Sequence, residues 1–472
     1  MTTGMDDMPT SSTPPATDPR PPSAVSSGVG LAGVAGLLLW VLIARNFGFV
    51  MGAMGIDHSW FGYDAWPDRA SGPYAALLCI VAAGAPMVLW SLLVDKVHKR
   101  VSTGIDWSLR RPVADVLDTS VIKIAGLWAT WALIAAAYFL FRFYWKSANW
   151  NFPFSMQMFQ YAVLPMVVAS VPYVVWLDRY LIDPRDGNWH FGAWIAGRND
   201  WNKDEIFHHL RAWLVKGFFL AFMISIVPGG FAFVVNIDLA EAIKQPVSLT
   251  QVLITSMFLI DVQLATVGYL LTMKPLDAHI RTANPYLSGW VAALACYPPF
   301  ILVNSGQIID YSVGTSGDNS WHYWLAGHDA LLYAWGAILV TLTAIYAWAT
   351  MAFGLRFSNL THRGILTHGP YAFTKHPAYL SKNAFWWLAV LPFLVTTGST
   401  VDAVRNTVML GLVSAIYYWR ARTEEKHLKA DPDYVEYAAW MERNAPIPRF
   451  FGKLRRLAGG RLRRGMQPEP AE

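Results

Sequence analysis

The feature that most constrains this chain is the recurrence of apolar runs long enough to cross a bilayer. A transmembrane helix needs about 20 consecutive apolar residues. Such stretches start near Gly28, Tyr74, Ser120, Met156, Ala212, Leu249, Leu287, Ala326, Ala378 and Val401. The last two belong to one longer run over 378–420, divided at Thr396, Thr397 and Gly398. Inside lipid every backbone polar group must be satisfied internally, and runs this long and continuous do so as helices. The expectation is an all-α, polytopic integral membrane protein with about ten transmembrane helices and negligible strand. Composition agrees: 54% of residues are hydrophobic and only 15% charged, against about 25% charged in soluble domains. The 23 Trp, 20 Tyr and 25 Phe suit interfacial belts.

Charge sets the orientation. Lys96, Lys99, Arg100, Arg110 and Arg111 fall in the connection 95–118, and Arg185, Arg198, Lys203 and Arg211 in 182–211. Lys274 and Arg281 fall in 274–285, and Arg356, Arg363 and Lys375 in 354–377. The alternate connections are nearly bare, with Arg69, Lys146 and Lys244, and 305–325 has none. By the positive-inside rule both termini are expected in the cytoplasm. Residues 1–27, rich in Pro, Ser, Thr and Asp, read as a disordered cytoplasmic tail. Residues 451–472 read as a basic cytoplasmic tail. Arg449, Lys453, Arg455, Arg456, Arg461, Arg463 and Arg464 either meet anionic lipid, at about 1 kcal/mol each, or serve only as a positive-inside anchor. The net charge of +5 is modest and spread over loops and chain end, so no nucleic-acid partner is expected. Cys79 and Cys296 lie in apolar runs and build no disulfide framework. No metal is expected either, since His208–His209 and His322/His328 lack a carboxylate at ligand spacing and read as interfacial.

The chemistry-bearing text follows the eighth run. It reads Arg363-Gly-Ile-Leu-Thr-His-Gly-Pro-Tyr371, then Lys375-His376-Pro377-Ala378-Tyr379. After two apolar segments come Arg420-Ala-Arg-Thr-Glu424-Glu425-Lys-His-Leu428, Tyr434-Val-Glu-Tyr437 and Pro446-Ile-Pro-Arg449. Each piece alone has a structural reading. Gly-Pro-Tyr is a turn signal, and Pro377 suits the first position of a helix. Arg420 and Glu424 could form a surface i,i+4 ion pair worth roughly 0.2–0.5 kcal/mol, though Arg before Glu is the poorer order.

Together and in this order, the pieces resemble the isoprenylcysteine carboxyl methyltransferase family and its bacterial, phospholipid-methylating relatives. The resemblance covers roughly residues 330–450. It implies a methyltransferase region over 326–450, built on a C-terminal helical hairpin behind an N-terminal bundle over 28–325. It implies S-adenosylmethionine as cofactor, bound by the backbone at Arg363, Gly364, Ile365 and Leu366, by Tyr371, by the element His376, Pro377, Ala378 and Tyr379, and by Glu424. Arg420 would be the catalytic residue that holds the acceptor, with Glu425 and Tyr437 in support. The implied acceptor is a lipid-like or prenylated molecule with an isoprenylcysteine-type carboxylate. The residue types fit such chemistry: aromatic faces suit a cationic sulfur, and arginine grips a carboxylate with two parallel bonds. The chain departs from the family pattern at Lys375 (usually Arg), Ser381 (commonly Gly) and Asp431-Pro432-Asp433 (usually Phe-Gly-x).

Within the apolar runs Lys123, Lys216, Asp261 and Gln263 stand out, because polar groups at membrane depth are costly unless paired or facing a cavity. The two lysines read as structural. Asp261 is either an interhelical partner or a cavity group. Tyr297-Pro298-Pro299 would break its helix. Asp261 and Tyr297 are accordingly expected along a groove for a lipid-like acceptor, within reach of Arg420. Two other functions stay open. One is a membrane sterol- or steroid-type reductase using NADPH, which shares a related hairpin. The other is a non-catalytic transporter or scaffold, although no matching pair of broken helices points to inverted repeats.

Overall fold

The computed structural model describes residues 19–146, 151–304, 306–313 and 320–449. The tails over 1–18 and 451–472, including the basic run after Arg449, lie outside the described residues. The main helices are α1 Ser27–Arg45, α2 Pro73–Leu93, α3 Val113–Phe141, α4 Phe152–Asp178, α5 Lys203–Asn236, α6 Pro246–Leu270, α7 Leu287–Leu294, α8 Asp329–Ala352, α9 Pro377–Val390, α10 Thr400–Leu428 and α11 Pro432–Asn444. Among the described residues the one sheet is a two-residue antiparallel pair, Thr282–Ala283 with Thr361–His362.

Seven of these helices, α1 to α6 and α8, are long and apolar enough to cross a membrane by length and composition. They coincide with seven of the runs expected from the sequence, and the protein is an all-α, multi-pass membrane type. The other three runs differ for local reasons. Helix α7 stops after eight residues, at Leu294, with turns at Cys296 and Tyr297 before Pro298-Pro299. Helix α9 has only 14 residues. Helix α10 has 29, but Asp402, Arg405 and Asn406 at one end and Arg420 to Glu425 at the other shorten its apolar stretch.

Helices α5 and α6 form the centre, with 61% of their apolar windows buried, against 17% for α3 and 11% for α4. Phe219 of α5 stacks on Tyr269 of α6, both fully buried. Helix α1 packs closely on α2 because position 36 is glycine: a Cβ there would lie 2.0 Å from the Ala82 carbonyl oxygen. Small residues permit such approach where lipid offers no hydrophobic drive.

The four Lys/Arg-rich connections meet at one end of this bundle. Asp277, buried in the third, accepts from Ser102 of the first at 2.9 Å and from Arg356 of the fourth. Ile182 N–H donates to the Gly104 carbonyl at 3.0 Å, joining the second to the first. The pair Thr282–Ala283 with Thr361–His362 joins the third to the fourth. A buried ion pair is costly to desolvate and needs further hydrogen bonds to hold it. Arg356 has one, donating to the Arg363 carbonyl at 2.8 Å.

The expectation of a disordered tail over 1–27 is corrected for its last residues. Ala24 N–H donates to the Ile365 carbonyl at 2.9 Å, and the Thr367 hydroxyl to the Pro21 carbonyl at 2.8 Å. Arg20 stands over the Trp440 ring at 5.3 Å. The polar composition of this segment hides a strand-like docking onto residues 365–367.

Candidate active site

The segment 354–376 crosses the end of the bundle and is fixed mainly by one side chain. The buried Arg363 guanidinium donates to the carbonyls of Gly268 (2.8 Å), Leu271 (3.1 Å), Ala278 (2.8 Å), Leu355 (2.9 Å) and Phe357 (2.9 Å). The last carbonyls of a helix have no intrahelical partner, and Arg363 satisfies those at the end of α6. Its side chain is thus a structural clamp. Gly364 follows at φ +111, where a Cβ would meet Arg356 Nη1 at 2.3 Å and Ala24 Cβ at 2.8 Å. Only glycine takes that turn without strain.

Beneath this segment lies a cavity of about 180 Å³. Residues 363–366, Tyr371, His376, Ala378 and Tyr379 line it, with Arg420, Glu424 and Tyr437 opposite. Pro377 takes the first position of α9, and Tyr437 of α11 donates to the Tyr371 carbonyl at 2.8 Å.

Glu424 and Glu425, adjacent on α10, separate by role. The Tyr379 hydroxyl donates to Glu424 Oε1, which leaves Glu424 on the cavity surface. Glu425 turns away and is buried. Its carboxylate gathers Lys375 Nζ (2.9 Å), His376 Nε2 (3.0 Å) and Arg422 Nη1 (3.1 Å). Burial opposes its ionisation, but hydrogen bonds from His376 and Lys375, with the Lys375 charge, hold the carboxyl down at about 2. This anchor sets the His376 ring parallel to Tyr379, at 5.9 Å and 10°.

The i,i+4 ion pair between Arg420 and Glu424 does not form among these contacts. The Arg420 guanidinium instead stands over Tyr379 (5.1 Å), Tyr417 (5.1 Å) and Tyr297 (5.7 Å). Its Nη2 lies 3.5 Å from Asn359 Oδ1, and Asn359 Nδ2 donates to the Tyr297 hydroxyl at 3.2 Å. Arg420 Nε is buried with no acceptor among the described residues. Tyr297 lines the cavity, so the expected path from Arg420 to Tyr297 exists. Asp261 does not line it. Thr350, which does, donates its hydroxyl to Asp261 from the cavity side, so Asp261 is an interhelical partner of α8.

Of the residues expected at the site, Pro377, Glu425 and Asp261 therefore stand behind the surface, and the others line it. Sequence reading missed Tyr346, Thr350, Asn359, Lys382 and Tyr417, all on the cavity. For Lys382 a signal existed: it is the one charged residue between Ala378 and Val395, and an ionisable group in an apolar run is a functional candidate by default. Among the described residues no three His, Cys, Asp or Glu side chains group as a metal site would. Comparisons with family models, with curated proteins and with solved structures return no match. The class rests on the fold alone: an α-helical multi-pass membrane protein with a polar, aromatic-walled cavity at the end where its basic connections meet.

Proposed function

We propose that this protein is an S-adenosylmethionine-dependent membrane methyltransferase that methylates a lipid-like or isoprenylcysteine-type carboxylate at the cytoplasmic face. One observation carries the reading. Four segments separated in sequence, 363–366, 371–379, 420–424 and Tyr437, which the family resemblance assigns to one site, all contribute residues to one cavity. The residues fit the cofactor's chemistry. Glu424 offers a half-buried carboxylate to hydroxyl or amine donors, and Tyr371 and Tyr379 offer aromatic faces to a cation. Bound S-adenosylmethionine would supply an activated methyl group, which a carboxylate takes in line as the carbon–sulfur bond breaks, the electron pair staying on sulfur with no proton to move.

The chain's own residues then orient and exclude. Arg420, with a buried Nε to spare, holds the acceptor's carboxylate. Tyr297, Tyr379 and Tyr417 keep water from the guanidinium and strengthen its field. Positioning of this kind is worth roughly 7–11 kcal/mol at most. Helices α9 and α10 act as a hairpin entering the membrane from the cavity side and α7 as a partial crossing, which makes up the ten segments. The Lys/Arg-rich connections around the cavity support a reading in which that side, and both termini, face the cytoplasm. The test is transfer of a labelled methyl group from S-adenosylmethionine to membrane lipid by wild type and Arg420→Met. Label in an acidic lipid, lost by at least 100-fold in the variant, is expected. Reduction of an added sterol with NADPH, and no methyl transfer, would replace this reading with the reductase.

A further inference from the structure

Of the cations on the cavity, Lys375 and Arg356 are paired with carboxylates and Arg363 is bound to five backbone carbonyls, which leaves Arg420 and one that the methyltransferase motif does not contain, Lys382. Lys382 lies on α9 one turn beyond Tyr379, and its Nζ stands 5.1 Å from the Trp386 ring, 5.3 Å from Tyr346 and 5.7 Å from Tyr417. Arg420 shares the Tyr417 ring from 5.1 Å. Both cations line the cavity, with aromatic faces around them. Neither has a carboxylate within ion-pair distance among the described residues. The acids nearby are engaged elsewhere. Glu424 accepts from Tyr379, Glu425 is held by Lys375, His376 and Arg422, and Asp261 accepts from Thr350 behind the cavity surface.

Aromatic faces attract cations but do not neutralise them. Two positive charges in a water-poor site raise each other's cost, and a low local dielectric magnifies the effect. A ligand with one negative charge leaves one of them uncompensated. A ligand with two gives each of them a carboxylate at ion-pair distance, which neither Glu424 nor Asp261 supplies.

We propose that Lys382 is a specificity-determining residue of the acceptor site, and that the acceptor is an amphiphile whose head group carries two negative charges, one for Arg420 and one for Lys382. The proposal rests on the methyltransferase reading for the word acceptor, but the charge selectivity it assigns is measured without turnover. Charge placed in this way confers selectivity because a ligand lacking the second group leaves the half-buried Lys382 unmatched.

Purified protein in neutral detergent is titrated with N-lauroylglycine, which carries one carboxylate, and N-lauroylaspartate, which carries two. Each titration is run with and without S-adenosylhomocysteine. Wild type is expected to bind the dicarboxylate at least 10-fold more tightly. Lys382→Met abolishes that ratio with N-lauroylglycine affinity unchanged, Lys382→Arg restores it, and Arg420→Met weakens both ligands. A wild-type ratio near one overturns the proposal and leaves Lys382 as a counter-charge to Asp261. Equal weakening of both ligands in Lys382→Met also overturns it, in favour of a packing role. Should Lys382→Met not fold, the wild-type ratio and Lys382→Arg still decide. A dicarboxylate preference without any S-adenosylhomocysteine binding would sink the methyltransferase reading and keep this one; cofactor binding with a ratio near one does the reverse.

Discussion

Replacing Glu425 with Gln removes a charge that touches neither cofactor nor acceptor in the proposed mechanism, and should still disturb the site. Its carboxylate holds Lys375 at 2.9 Å, His376 at 3.0 Å and Arg422 at 3.1 Å. The Lys375 and His376 side chains are 20% and 22% exposed, and Arg422 is 59% exposed. A hydrogen bond to a charged group is worth about 1.5–3 kcal/mol when shielded, whereas an exposed pair is worth roughly 0–1. Gln retains one acceptor oxygen but no charge, so a loss of about 2–4 kcal/mol is expected. The same change frees the His376 ring from its place beside Tyr379, and a 10-fold loss of affinity for S-adenosylhomocysteine follows. The assay is the thermal midpoint of detergent-purified protein by tryptophan fluorescence, with and without that ligand, from pH 8 downwards. The Glu425 carboxyl titrates at about 2 in the fold, below the ordinary glutamate value near 4.3. Its contribution is therefore complete above the ordinary value and is lost as pH falls through about 2. The gap between wild type and variant should hold constant from pH 8 to 5 and close only in strong acid. A variant as stable as wild type, with unchanged ligand affinity, would refute the claim that Glu425 positions His376.

Arg363→Met strips five carbonyls of their donor and should cost more than about 3 kcal/mol, read as a large fall in thermal midpoint rather than as selective loss of ligand binding. Gly364→Ala should lower the thermal midpoint, because the Cβ collides with the buried Arg356 and with Ala24 at a φ only glycine takes without strain; thermal unfolding of the detergent-purified protein checks this. Burial pushes His427, beside His362, and His279, beside Lys274, down to about 4. Both sit outside the membrane-spanning segments and are neutral in the fold. Their stabilisation is complete above the ordinary histidine value near 6.5 and is lost as pH falls towards 4, at up to about 1.4 kcal/mol per pH unit for each group. Thermal midpoints across pH 7 to 4 should fall, and His427→Gln should flatten part of the fall.

What the sequence made legible follows from the range of the forces involved. Seven apolar runs became helices at the expected places because membrane-length hydrophobicity is a local property. The alternation of Lys and Arg likewise marked the connections that meet at one end. The failures are non-local. Residues 20–26 read as tail by composition, yet hydrogen-bond to residues 365–367, more than 300 positions away. Arg420 and Glu424 have ion-pair spacing on one helix, but Tyr297, Tyr379 and Asn359, from three other segments, claim them instead. Asp261 was recognised as costly, and only the placement of Thr350 decided between partner and cavity. Lys382 carries a local signal, a lone charge in an apolar run with Trp386 one turn on, but its other two rings, Tyr346 and Tyr417, come from α8 and α10 and only the fold brings them to it.

The most direct test of the central claim is calorimetric titration of the purified protein with S-adenosylhomocysteine and, separately, NADPH, for wild type and Glu424→Ala. The account predicts that S-adenosylhomocysteine binds wild type, that Glu424→Ala loses at least 10-fold in affinity while keeping its thermal midpoint within a few degrees, and that NADPH does not bind. Binding of NADPH to wild type with none of S-adenosylhomocysteine would contradict it.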